Sequence, residues 1–182
     1  MKHYLAITLC CLCMAGASAQ SMQDKDKSMG EKTGANSMLG ITPSTQDFVN
    51  EVAISDMFEI SSSRLAAQRG DADTKKFANK MLSDHQKTTA QLTSLLKTAN
   101  VEVSPPDQLD DKHQKRLDKL NSLQGGDFDK SYGQDQIDAH KDAVSLFQRY
   151  AKGGDNPALK DWAGKTLPTL SEHLKQAENL PH

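Results

Sequence analysis

Residues 100–126 read NVEVSPPDQLDDKHQKRLDKLNSLQGG, and the length of this stretch decides how the rest of the chain packs. Asn100 to Ser104 followed by Pro105-Pro106 breaks a helical pattern. A short helix is expected from about Asp107 to Leu123, with Leu109, Leu117, Leu120 and Leu123 set among charged residues, and Gly125-Gly126 ending it. A helix of about 17 residues spans roughly 25 Å. That is long enough to carry the chain back along a bundle.

Outward from this stretch, both flanks read as helical pairs. Proline is absent from Ser44 to Ser104, and apolar residues recur at three and four. Ser44 is the expected N-cap, with Asp47 in the first turn. The first helix runs to about Arg69, where Gly70 stops it; Phe48, Val52, Ser55, Glu59, Ser62 and Ala66 follow one face. The second starts near Asp71 or Asp73 and reaches about Ala99, with Phe77 or Ala78, Met81, His85, Leu92, Leu95 and Ala99 as its stripe. Beyond the stretch, a long helix is expected over about Asp127 to Lys152, carrying Phe128, Ile137, His140, Val144, Phe147 and Ala151. Gly153-Gly154 stops it, and Asn156-Pro157 restarts the chain, proline being well suited to a first turn. The last helix reaches about Leu180 through Leu159, Trp162, Thr166, Leu170, His173 and Ala177, with a kink expected at Pro168. Tight turns at Gly70 and at 153–156 make two antiparallel hairpins. One long crossover joining two hairpins gives an all-α, ferritin-like four-helix bundle over 44–181, with the short helix inside the crossover.

The N-terminus predicts export. Lys2 and His3 precede an apolar run from Tyr4 to Ala15, too short to span a bilayer, and Ala17-Ser18-Ala19 supplies a small-x-small cleavage pattern. Residues 1–19 are therefore expected to be a signal peptide, cleaved after Ala19, with a periplasmic or envelope-associated product. A lipoprotein signal fits poorly, because Leu9, Cys10 and Leu12 stand where a small residue should precede each cysteine. Cleavage removes Cys10, Cys11 and Cys13, the only cysteines, and with them thiolate chemistry and disulfides. Residues 20–43 are polar and read as a disordered linker. Met22, Met29 and Met38 within it are weighed as a soft copper-binding tail, but no histidine or second methionine lies close to any of them, so an ordinary tether is preferred. With 22 basic and 24 acidic residues and a net charge of −2, no basic patch points to nucleic acid. No second apolar run approaches spanning length, so no transmembrane segment is expected after cleavage.

Each long helix carries one ionisable residue on its apolar stripe: Glu59, His85, His140 and His173. At about 1.5 Å per residue, Glu59 and His173 lie roughly 15 Å, and His85 and His140 roughly 20 Å, below the end where the second and third long helices begin. Four helices thus bring four metal-ligating groups to one level. Three imidazoles and a carboxylate suit a single Zn, Cu, Ni or Fe ion. Asp84 and Asp138, next to His85 and two from His140, are candidates to hold the outer imidazole nitrogens. A shared ion requires the ring nitrogens to lie within about 5 Å of a common centre. The alternative is a structural or stress-related interaction module in which the same His, Glu and Asp side chains satisfy one another without metal. No catalytic residue is assigned. Leu82, Ile137 and Leu170 stand three before the histidines, so the Glu-x-x-His pairs of a di-iron bundle are missing. Ser61-Ser62-Ser63 lies mid-helix without a nucleophile elbow. The expected partners are a metal ion or another envelope protein.

Several motifs carry a family resemblance: Phe77-Ala78 with Met81 and Asp84-His85, Phe128-Asp129 with Tyr132, Asp138 with His140, and Leu167-Pro168 with Leu170 and His173-Leu174. Together they resemble the bacterial secreted domain-of-unknown-function family 4142, over nearly all of 46–180. The resemblance implies a ferritin-like helical fold and an envelope location, and it supplies no biochemical activity. Members are often labelled outer membrane proteins, yet this chain lacks the alternating ten-residue segments of a barrel.

Overall fold

The structure, a computed structural model, describes residues 35–180. Its helices are α1 (Ala35–Met38), α2 (Thr45–Arg69), α3 (Ala72–Thr98), α4 (Asp111–Ser122), α5 (Gly125–Gly153) and α6 (Pro157–Ala177). Among the described residues there is no strand and no helix long and apolar enough to cross a membrane. The protein is an all-α helical bundle. The signal peptide expected over 1–19 and two of the tail methionines, Met22 and Met29, lie outside the described residues.

Local chemistry sets most of the helix ends. The Ser44 side chain accepts from the Asp47 N–H at 3.1 Å, and Asp71 accepts from the Thr74 N–H at 2.7 Å. Between them Gly70 makes the turn: a Cβ there would lie 2.5 Å from Thr74 Cγ2 and 2.9 Å from the Ala66 carbonyl, so a side chain does not fit. Asn156 caps α6 by accepting from the Ala158 and Leu159 N–H groups, and α6 continues through Pro168.

Three local expectations change. The crossover helix begins at Asp111 rather than near Asp107, because Asp110 is its cap, accepting from the His113 N–H at 2.8 Å. Gly125 does not end that helix. It opens α5 with φ +57°, a left-handed conformation that glycine adopts without a Cβ penalty. The end of the expected linker is not free either. Ser37 Oγ bonds Ser145 Oγ at 2.7 Å, and Arg149 Nη1 donates to the Ile41 carbonyl at 2.6 Å, tying residues 37–41 to α5. Met38 within this segment is 90% exposed.

Contacts between helices fix their directions. Along α2, Phe48 meets Phe147 and Tyr150 of α5, while Ser63 bonds Tyr132. Numbers rise on one helix as they fall on the other, so α2 and α5 are antiparallel. Asp84 of α3 meets His173 of α6, and Gln91 meets Trp162, giving a second antiparallel pair. Helices α3 and α5 therefore run the same way, as the crossover requires. The crossover helix packs on the bundle. Leu120 is fully buried, Arg116 lies 4.6 Å over the Phe58 ring and donates to Asp135 at 2.9 Å, and Arg69 donates to the Asn121 carbonyl at 3.0 Å. Burying one leucine of this kind contributes about 1.5–3 kcal/mol.

The apolar interior forms two clusters. One centres on Phe48, Leu92, Phe147, Tyr150 and Leu159; the other on Phe58, Phe77, Met81, Phe128 and Tyr132. Polar side chains fill the level between them.

Candidate metal centre

Three histidines meet at that level, delivered by three helices. His85 comes from α3, His140 from α5 and His173 from α6, exposed by only 3%, 1% and 2%. Ring centroids are 5.6 Å apart for His85 and His140, 5.7 Å for His85 and His173, and 5.4 Å for His140 and His173. Each ring offers one ligand atom, and these atoms lie within 4.8 Å of one another. A point no more than about 2.8 Å from all three therefore exists. Zn–N bonds are about 2.0–2.1 Å, so an ion needs the rings to draw in by under an ångström each.

Each imidazole is held from outside by an acceptor. His85 Nδ1–H donates to Asp56 Oδ1 at 2.8 Å, and Thr89 Oγ1 donates to the other Asp56 oxygen at 2.9 Å. His140 Nδ1–H donates to the Gln136 carbonyl, one turn back on its own helix, at 2.9 Å. His173 Nε2–H donates to Asp84 Oδ2 at 2.9 Å, and Lys80 pairs with the same carboxylate. In a neutral ring, donation to that acceptor leaves the other nitrogen with its lone pair free; Lys80 Nζ also lies 3.1 Å from His173 Nε2. Those three atoms, His85 Nε2, His140 Nε2 and His173 Nδ1, are buried with no hydrogen-bond partner.

The electrostatics separate the rings. Burial, with the charge of His85 alongside, pushes His140 down to about 3 from the ordinary 6.5. Burial and the neighbouring His140 push His173 down to about 4. Burial works against a charge on His85 as well, but the Asp56 hydrogen bond and the Glu59 carboxylate outweigh it and raise its pKa. Burial raises Asp56, and the His85 hydrogen bond draws it partly back. Near neutral pH, two of the rings are thus already deprotonated, as a metal ligand must be.

The other expected residues fall in different places. Glu59 is buried beside the histidines, 1% exposed, yet it is outside the set whose ligand atoms converge. Complete burial pushes its carboxyl up, against the pull of His85. Asp84 holds a histidine, but it is His173 across the bundle rather than the adjacent His85. Burial raises the Asp84 carboxyl; the hydrogen bonds from Lys80 and His173 more than offset this and leave it below the usual range. Asp138 is exposed and accepts from Gln134 at 3.0 Å. Two residues along a helix is a turn of about 200°, so it faces away from His140. The carboxylate missed by sequence reasoning is Asp56. Its signal was present: Val52, Asp56, Glu59, Ser63 and Ala66 recur at four and three, and all five are buried. A cleft of about 840 Å³ is lined by Asp56 and His85 together with Ser55, Thr88, Asp110 and His113.

No curated protein and no solved structure matches the chain significantly. A family described as "Domain of unknown function (DUF4142)" matches residues 30–180, which include every residue of the histidine centre and all the helices of the bundle. By this match, the chain belongs to the DUF4142 family.

Proposed function

We propose that this is an exported envelope protein whose bundle core binds one transition-metal ion through His85, His140 and His173. One observation carries the reading: three buried imidazoles, each with one unserved nitrogen and an acceptor on its other, offer ligand atoms within 4.8 Å of one another. Leaving a buried polar atom without a partner costs about 1–3 kcal/mol. Three such atoms at one level form an arrangement that an ion would relieve. Neutral imidazoles suit Zn, Cu, Ni or Fe. The antiparallel pairs and the parallel α3 and α5 favour a ferritin-like arrangement, without the ligands of a di-iron centre. The export half of the reading is supported by Lys2, the apolar run from Tyr4 to Ala15 and Ala17-Ser18-Ala19.

A second reading, a structural or interaction module without metal, is favoured by the Asp56–His85 and Asp84–His173 bonds, which join helices unaided. Calorimetric titration of the purified protein with Zn²⁺, Cu²⁺, Ni²⁺ and Fe²⁺ separates the two. The metal reading expects one ion per chain, with affinity lowered at least a hundredfold in His140→Ala while the helical circular dichroism is kept. Absence of binding, or binding unchanged by His140→Ala, supports the module.

A further inference from the structure

One turn beyond the histidines, the interior holds a second group of polar atoms without full hydrogen bonds. The Gln136 amide lies close enough to the Glu59 carboxyl to pull its pKa down against burial, yet neither side chain completes a hydrogen bond of good geometry, and both are buried. Glu59 is 1% exposed and Gln136 is 0% exposed. Glu59 follows Asp56 by three residues on α2, and Gln136 precedes His140 by four on α5, so each shares a face with its neighbour. Because the two helices are antiparallel, both steps lead the same way along the bundle. A further turn brings Ser63 of α2 to Tyr132 of α5, which bond at 2.9 Å. The α2–α5 seam is thus a ladder of three polar rungs, and the outer Ser63–Tyr132 rung is closed while the two inner ones hold orphaned atoms.

We infer that Glu59 and Gln136 form the binding chamber for a small hydrogen-bonding molecule, of the size of water, that occupies the exchangeable position on the ion. The inference rests on the metal reading above and adds the identity of the ion's fourth partner. Three histidines leave a fourth position in a four-coordinate shell. Glu59 is not among the side chains whose ligand atoms converge, so the fourth position is open to a guest. A guest on the ion that donates to Glu59 and accepts from the Gln136 N–H serves both residues. A cleft lined by His85 and Asp56, one turn from Glu59 along α2, brings solvent close to this level.

The test uses the full protein loaded with Co²⁺, whose visible spectrum reports coordination, and titrates it with azide as a probe of the exchangeable position. In the wild type, one Co²⁺ binds and azide changes the spectrum saturably. Glu59→Gln, which replaces the carboxyl facing the probe with an amide that can donate to it, keeps one Co²⁺ and binds azide at least tenfold more tightly. Gln136→Leu, or Gln136→Met if the former does not fold, keeps one Co²⁺ and binds azide at least tenfold more weakly. The inference is overturned if azide leaves the wild-type spectrum unchanged, or if both variants bind it within twofold of wild type. Failure of the wild type to take up Co²⁺ is seen before azide is added. It defeats the metal reading itself, and this inference with it.

Discussion

Around Phe48 the interior is closed on itself. Phe48 stacks on Tyr150 at 4.0 Å and meets Phe147 edge-on at 5.2 Å, and the Tyr150 hydroxyl reaches Thr45 and Asp155. Eight residues along α2, about 12 Å away, the interior around Asp56 is polar and incomplete. His85, His140 and His173 each use one nitrogen and leave the other bare, and Glu59 and Gln136 complete no hydrogen bond of good geometry. The first region needs nothing from outside the chain. The second bears the energetic cost of buried polar atoms without full hydrogen bonds. On the proposed reading the difference separates stability from function: the aromatic end holds the bundle together, and the imidazole level is the binding site.

Changes at the two ends of this contrast should have opposite signatures. The largest effect is expected from Phe48→Ala, which empties a fully buried ring position and should cost about 3–5 kcal/mol. Urea unfolding measures this, and the variant should still bind one ion per chain. The next is an effect of acid on the metal-free protein. His140 and His173 titrate near 3 and 4 when folded, below the ordinary 6.5. The stability they contribute is therefore complete above about pH 6.5 and is lost as pH falls toward 4, by a few kcal/mol. His85, whose pKa is raised, acts in the opposite sense and contributes least at high pH. Urea midpoints between pH 7 and pH 4 should fall for the wild type and fall less for His140→Leu. Equal slopes would show that the buried ring does not govern acid sensitivity. A smaller effect is expected of Asp56→Asn, which replaces the carboxylate holding His85 and should weaken metal binding about 10–100-fold. An unchanged affinity would show that this hydrogen bond does not orient the ligand.

The helices were legible in the sequence because caps and breaks are local. Ser44, Asp71 and Asn156 each stand at the cap their chemistry suits, and Gly70 stands where no side chain fits. The crossover was less so: Asp110 and Gly125 act through conformations that residue type alone leaves open. The histidine centre was legible in part. The level of each residue follows from counting rises, which brought His85, His140 and His173 together. Which acceptor holds which ring depends on helix rotation, and a stripe drawn through Ser55 rather than Asp56 differs by one residue, about 100°. Asp138 was misplaced for the same reason, and the pairing of Asp84 with His173 is a contact across the bundle that neighbouring positions in the chain do not reveal.

The central claim is that the polar level is a metal site. Its most direct test is elemental analysis of the protein purified without an affinity tag from the cells that make it, beside His140→Leu treated identically. The account predicts one transition-metal ion per chain in the wild type and none in the variant. It also predicts that the metal-free variant is as stable as the metal-free wild type, or more stable by about 1 kcal/mol, because an orphaned buried nitrogen has been removed. Metal absent from the wild type, or retained equally in His140→Leu, would contradict it.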